Sequence, residues 1–282
     1  MFTTDLHRDR VYLITGGGTG LGRAMGERLA TLGAHLVLTS RDTAHLEVGA
    51  AAMRALGARV CTIACDIRKP EAVQAMIDEA WATMGRIDGL INNAAGNIAA
   101  PTELLSANAF NAVVSVVLQG SFYCTHTLGK RWIAAKTPGR VLSIVTTYAW
   151  TGSAYVVPSA CAKAGVLAMT QSLAVEWGPY GIRLNAIAPG PFPTAGAWQR
   201  LMPPGFEQHL TQRNPTRRLG KPEELGDLAA FLLSDAADYL NGACITIDGG
   251  EWLAGAGQFT ALGQHLDRDA WAALQQQAKG SR

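Results

Sequence analysis

Residues 11–22 read VYLITGGGTGLG, an apolar run that breaks into a glycine cluster. Val11 to Thr15 predicts a first strand, and Gly20 to Leu32 a first helix. The glycines between them, in TGGGTGLG from Thr15 to Gly22, let the backbone turn sharply and approach a pyrophosphate. The helix that follows offers free amides and the positive end of its dipole. A glycine cluster alone is only a tight turn. Between a strand and a helix it marks a nucleotide-binding unit.

Outward from that unit, short apolar runs alternate with helix-length segments. Strands are expected at Ala34 to Thr39, Ala58 to Ala64, Ile87 to Asn92, Val141 to Val145, Ile182 to Ala188 and Ala243 to Ile247. Helices are expected at Thr43 to Leu56, Pro70 to Met84, Ala107 to Ala135, Ser159 to Trp177 and Pro222 to Ser234. The alternation predicts an α/β fold: one doubly wound (Rossmann) parallel sheet of seven strands with helices on both faces, as a single domain over residues 1–282. Thr194 to Leu219 has no clean period and reads either as a mobile lid or as an irregular packed loop. Residues 251–282 form a C-terminal extension, expected to pack on or between subunits, in which Asp267 to Ala278 has helix-forming composition.

The chain has 282 residues, 48% hydrophobic and 16% charged, enough for an ample core. A net charge of +2 without a long basic block argues against nucleic acid as a partner. Cys61, Cys65, Cys124, Cys161 and Cys244 are odd in number and lack CxxC spacing, so reduced, packed thiols are expected rather than disulfides or a metal site. The N-terminus, MFTTDLHRDR, is charged and has no hydrophobic signal region, and no stretch reaches the length of a membrane span. A cytoplasmic location is the expectation.

The chemistry concentrates in Thr146 to Lys163, TTYAWTGSAYVVPSACAK, between the fifth strand and the helix after it. A lysine on the first turns of such a helix suits a nicotinamide-dependent reductase. Its ammonium can hold a ribose and, through its charge, favour ionisation of a nearby phenol. The position one helical turn before Lys163 is Ser159, whose aliphatic hydroxyl is too weak an acid to donate a proton near neutral pH. The upstream phenols are Tyr155 and Tyr148. Tyr155 lies midway along the connection and reads as packing or pocket lining. Tyr148 falls just beyond the strand's carboxyl end, where doubly wound sheets place ligands.

Two further positions bear on ligands. The second strand ends in Ser40-Arg41, a hydroxyl and a guanidinium fork suited to a 2′-phosphate, although Asp42 follows and a solvated arginine is the bland alternative. Asn97, after NNAAG, carries an amide that is neutral at every pH and able to stabilise an oxyanion; an Asx-turn is its ordinary alternative.

The chain resembles the short-chain dehydrogenase/reductase superfamily from Arg10 to beyond Gly250. Gly16, Gly20 and Gly22 match that family's TGxxxGxG pattern. Within it, TTYAWTGSAYVVPSACAKAGVLAM is similar to the mitochondrial-type 2,4-dienoyl-CoA reductases, in which the catalytic tyrosine has moved back onto the loop and serine fills the usual tyrosine slot. Val117, in VVLQG, replaces the asparagine of the ordinary family's VNLxG, a departure the same branch shares.

The resemblance implies NADP(H) as cofactor and an acyl-CoA as substrate, reduced as a 2,4-dienoyl thioester to a 3-enoyl-CoA. It assigns catalysis to Tyr148, Lys163 and Asn97 with support from Ser159. It assigns the cofactor to Thr15, Gly16, Thr19, Gly20, Leu21, Gly22, Ser40, Arg41, Asp66, Ile67, Asn93, Ala94, Lys163, Pro189, Gly190 and Phe192. Asp66 would accept from the adenine amino group. Substrate contacts fall to Arg68, Asn97, Ile98, Ser106 and Tyr148, although Arg68 also reads as a surface charge and Ser106 as a helix cap. Homotetramers built on the long helices are implied too. The alternatives are a 3-oxoacyl or other ketone reductase on the same fold, disfavoured by Ser159 and Val117, and a cofactor-binding scaffold without turnover.

Overall fold

The computed structural model describes residues 2–194, 205–257, 259–260 and 262–280. Seven strands form one parallel sheet in the order β3-β2-β1-β4-β5-β6-β7. They are β1 Val11–Thr15, β2 His35–Ser40, β3 Val60–Ala64, β4 Gly89–Asn92, β5 Gly139–Ile144, β6 Ile182–Pro189 and β7 Cys244–Ile247. Successive residues of β1 enter opposite cores, Tyr12 and Ile14 one and Val11 and Leu13 the other. This two-sided burial is why the strands read as unbroken apolar runs. Helices α1 Gly20–Thr31, α2 Thr43–Ala55 and α9 Pro222–Leu233 cover the first face. Helices α3 Pro70–Met84, α5 Gly120–Ala135 and α7 Val157–Trp177 cover the second.

The order of the sheet reverses between β1 and β4, so their carboxyl ends open a crevice at the switch point. A polar latch holds the two ends at a fixed spacing. Thr15 Oγ1 donates to Ile91 O (3.3 Å) and accepts from the backbone amides of Asn93 and Ala94, each at 3.0 Å. Asn93 Nδ2 donates to the carbonyls of Thr15 (2.9 Å) and Gly16 (3.1 Å). Gly22 is enclosed by the same latch. A Cβ there would stand 2.4 Å from Gly16 O and 2.5 Å from Asn93 Nδ2, so no other residue fits.

Several expected elements differ in form. The segment Ala107–Ala135 is α4 Ala107–Val114, one π-turn over Ser115–Gln119, and then α5, with Val117 buried in the wide turn. Gly120 closes that turn against Ile67, whose side chain leaves no room for a Cβ. Tyr148 lies on a one-turn helix, α6 Tyr148–Thr151, rather than on open loop. Cys161, expected to be packed, is exposed, because α7 turns its neighbours Ala160, Ala162 and Lys163 inward instead.

Residues 195–204 of the expected irregular segment lie outside the described residues. The part that follows is not irregular but forms α8 Phe206–Arg213. Among the described residues the extension holds three helices, α10 Glu251–Ala256, α11 Leu262–His265 and α12 Arg268–Gly280, where one was expected. Among the described residues no helix is long and apolar enough to cross a membrane.

Candidate active site

The nucleotide side is built by α1, the glycine turn and the end of β2. Thr19 precedes α1 without a side-chain cap, and the first turn carries no acidic residue, so the helix presents its free amides and positive end to the crevice. Gly16 and Gly20 sit at φ +66° and +54°, where a side chain is strained. A Cβ on Gly20 would meet nothing among the described residues nearer than Thr194, at 3.7 Å, so the turn is uncrowded there. Leu21 packs back into the core.

A cleft of about 540 Å³ is lined by Gly16, Gly18, Thr19, Ser40, Arg41, Asp42, Thr43 and His45. Asp42, the acid that competes with Arg41 in the sequence, is engaged elsewhere: its Oδ1 accepts from His45 N at 3.1 Å and caps α2. Ser40 Oγ bonds the backbone of Asp42. Arg41 is exposed at the rim, and its guanidinium has no hydrogen-bond partner among the described residues.

Asp66 and Arg68, which the resemblance assigns to adenine and substrate, are paired with each other. Arg68 Nε donates to Asp66 Oδ1 at 2.8 Å and Nη2 to Oδ2 at 2.6 Å. That pairing, with the Arg68 hydrogen bond dominant, pulls the Asp66 carboxyl down to about 2. Both groups are therefore ionised and partnered in this arrangement. Ile67 is buried between them.

On the opposite wall, Pro189 ends β6, Gly190 N donates to Ile247 O at 3.0 Å, and Phe192 is buried against Gly220. A Cβ on Gly190 would stand 2.6 Å from the Asp248 side chain, which ties this turn to the end of β7.

The reactive groups gather beyond β5. Lys163 projects from the second turn of α7, is buried, and donates from Nζ to Ile144 O. Burial lowers its ammonium from 10.5 to about 8, so it is charged at neutral pH. An ammonium has three donors. Ile144 O is the one acceptor it meets among the described residues, leaving two donors for a ribose.

Tyr148 OH stands 3.1 Å from Ser159 Oγ, and Ser159 itself is buried one turn before Lys163. Tyr155 is 64% exposed, with its backbone in the left-handed region at φ +66°. Ala100 N donates to its carbonyl at 2.9 Å, so that loop is braced against the one bearing Asn97. Asn97 Oδ1 accepts from Ile98 N at 2.9 Å, and its Nδ2 has no partner among the described residues. Ile98 packs against the small core that holds Val145 and Ala149. Ser106 caps α4 by accepting from Ala109 N at 3.1 Å.

Thr146 was not singled out in the sequence. Its Oγ1 is buried at the carboxyl end of β5 without a hydrogen-bond partner among the described residues. Two residues before Tyr148, it is a polar atom placed for a ligand or solvent to satisfy. The only hint in the sequence was a threonine immediately after a buried strand. The uncapped helix, the open glycine turn, the spare donors of Lys163 and the orphaned hydroxyl together fit a dinucleotide. Among the described residues no cluster of His, Cys, Asp and Glu could hold a metal ion.

A family model described as enoyl-(acyl carrier protein) reductase matches residues 16–251. A Bacillus subtilis (strain 168) protein named probable 2,4-dienoyl-CoA reductase, (2E)-enoyl-CoA-producing, is 46% identical over 246 residues, 86% of this chain and 97% of its own. A Caenorhabditis elegans protein named probable 2,4-dienoyl-CoA reductase decr-1.2, (3E)-enoyl-CoA-producing, is 42% identical over 249 residues, 86% of this chain and 81% of its own. The crystal structure of a short chain dehydrogenase from Bacillus anthracis superposes with a TM-score of 0.80 at 45% identity, covering 86% of this chain and 97% of that one.

Proposed function

Because the chain belongs to the short-chain dehydrogenase/reductase family, we propose that this oxidoreductase reduces 2,4-dienoyl thioesters of coenzyme A with NADPH. The observation that carries the reading is the position of the phenol. Tyr148 reaches the site from α6, 3.1 Å from the serine that stands one turn before Lys163. A ketone-reducing site needs its proton donor at the oxygen carried by the carbon that receives hydride. A conjugated thioester needs it at the distant carbonyl oxygen instead.

A bound NADPH would supply the hydride, which the reading places at the δ-carbon of the thioester. Negative charge then passes along the conjugated chain to the thioester oxygen. Tyr148 OH and Asn97 Nδ2 donate to that oxygen, where their hydrogen bonds strengthen as the charge develops. Lys163, with two donors left over from Ile144 O, would hold the ribose. Ser159 orients Tyr148.

Donors grouped at the carbonyl stand two bonds from the α-carbon and four from the γ-carbon. A proton from solvent at the α-carbon then discharges the enolate and gives the 3-enoyl product. Arg41, free at the cleft rim while Asp42 caps α2, favours NADPH by binding the 2′-phosphate.

Phe110 on α4, Phe122 on α5 and Val175 on α7 are exposed, which supports a homo-oligomer, a tetramer by the family's habit. The test of the whole reading mixes protein and NADPH with a short 2,4-dienoyl-CoA and, separately, a 3-oxoacyl-CoA. Loss of the dienoyl chromophore with NADPH, and a 3-enoyl product by mass and NMR, is the expected result. Turnover of the 3-oxoacyl thioester alone sinks it, and a 2-enoyl product moves the protonation to the γ-carbon.

A further inference from the structure

Helix α6, which carries Tyr148, has four residues and ends at Gly152, φ +69°. One turn of helix does not hold itself together, because its few hydrogen bonds do not repay the residues they order. Its position must come from what it touches. Ala149 is the inward residue, buried with Val145, Ala162 and Val166. Trp150 is the outward one, 39% exposed, and its ring meets Trp252 at 5.5 Å and 85°, edge to face.

Trp252 belongs to α10, after the last strand of the sheet, and it is firmly placed. Trp252 N donates to Asp248 Oδ2 and Gly250 N to Asp248 Oδ1, each at 2.8 Å. Asp248 O accepts from Asn214 Nδ2 at 2.7 Å, and Asn214 is itself buried. No residue of α10 is fully buried, so this helix adds little to either core of the sheet. Its aromatic contact falls instead on the single turn that carries the phenol.

We propose that Trp252 is a positioning residue for Tyr148: packed on Trp150, it holds α6 so that the phenol stays against Ser159. The proposal rests on the reading of Tyr148 as the donor to the thioester oxygen. It gives the first helix of the C-terminal extension a part in the reaction, although no atom of it need touch the substrate.

The test uses the full chain with NADPH and a short 2,4-dienoyl-CoA. Trp252→Ala should lower kcat by roughly tenfold or more, since small displacements of a reacting group are costly. KM for NADPH should stay within roughly twofold, and the thermal midpoint should hold, because only uniform binding or folding would move them. Trp252→Phe, which keeps an edge-to-face partner, should recover most of the rate. Trp150→Ala should match Trp252→Ala, and the double variant should be no worse than either. An unchanged kcat in folded Trp252→Ala overturns the proposal, as does a loss that appears in KM alone or that phenylalanine does not rescue. If the wild type turns over no dienoyl-CoA, the functional reading fails, and tyrosine labelled with ¹³C at Cζ decides the positioning. The Tyr148 signal, assigned by its loss in Tyr148→Phe, should move in Trp252→Ala and return in Trp252→Phe; an unmoved signal overturns the proposal.

Discussion

The two ends of the sheet treat polar groups in opposite ways. At the amino ends of the strands, charges are matched within the chain: Arg10 and Arg140 pair with Asp235, Arg183 with Asp238, and Arg86 with Asp88. Nearby, His7 is fully buried between Tyr12 OH (2.8 Å) and Ala230 O (3.0 Å). At the carboxyl ends several polar groups are left short of partners. Lys163 keeps two donors, Asn97 Nδ2 and the Arg41 guanidinium have no hydrogen-bond partner among the described residues, and Thr146 Oγ1 is buried without one. Satisfied groups hold a fold together, whereas unsatisfied ones await a ligand. Substitutions at one end should therefore alter stability and at the other chemistry.

The largest effect is expected at the carboxyl end. Tyr148→Phe removes the donor and should lower dienoyl-CoA turnover by about a thousandfold, the scale of a lost oxyanion donor, with NADPH affinity nearly unchanged. Lys163→Ala should damage turnover and NADPH binding together, and Ser159→Ala should be milder than either. Stopped-flow turnover and fluorescence titration of NADPH separate these outcomes. If Tyr155→Phe abolishes turnover while Tyr148→Phe keeps it, the assignment is wrong.

The amino end is probed by acid. Burial lowers the His7 imidazole from 6.5 to about 4, its hydrogen bond to Ala230 only partly opposing this. Between those values the unfolded chain binds a proton that the folded chain refuses, so stability is intact above about pH 6.5 and declines as pH falls towards 4. The full change is about 3 kcal/mol. Urea midpoints across that window should show the decline, and His7→Asn should flatten it. A flat wild-type profile would break the contrast between the two ends.

The positions legible in the sequence were those whose meaning is local. A glycine turn between strand and helix, and a serine one turn before a lysine, are short-range facts; Ser159 and Lys163 are both buried on the first turns of α7, and Tyr148 OH stands 3.1 Å from Ser159 Oγ. What escaped depended on partners far along the chain or on side-chain direction. Arg68 turned back onto Asp66, a choice between two solvated options that spacing cannot rank. Cys161 faced outward although the helix around it reads as apolar. The contact between Trp150 and Trp252 joins residues about a hundred positions apart, and each alone reads as an ordinary aromatic.

A moderate effect should sharpen the account of the cofactor end. Arg41→Ala should weaken NADPH selectively, by about 1.5–3 kcal/mol if a charged hydrogen bond is lost. Asp42 remains bonded to His45 N in that variant and offers NADH no compensating gain. Calorimetric titration with both cofactors measures the difference. Equal losses, or a wild-type preference for NADH, count against a 2′-phosphate at this rim.

The smallest effect concerns Ser106, which the family resemblance gives to substrate and the fold gives to a cap. Its Oγ accepts from Ala109 N at 3.1 Å at the start of α4, where the leading amides of a helix otherwise lack partners. Ser106 is exposed and its φ and ψ of −75° and 156° are extended, as a capping residue requires. Ser106→Ala should therefore lower stability by about 1 kcal/mol, the usual cost of a lost cap. Ser106→Asp keeps an acceptor for the same amide and adds a negative charge favourable to the helix dipole, so it should restore that stability. KM for the dienoyl-CoA should stay unchanged in the alanine variant. A raised KM with an unchanged urea midpoint would return Ser106 to the substrate and carry the ligand-binding end of the sheet out as far as α4.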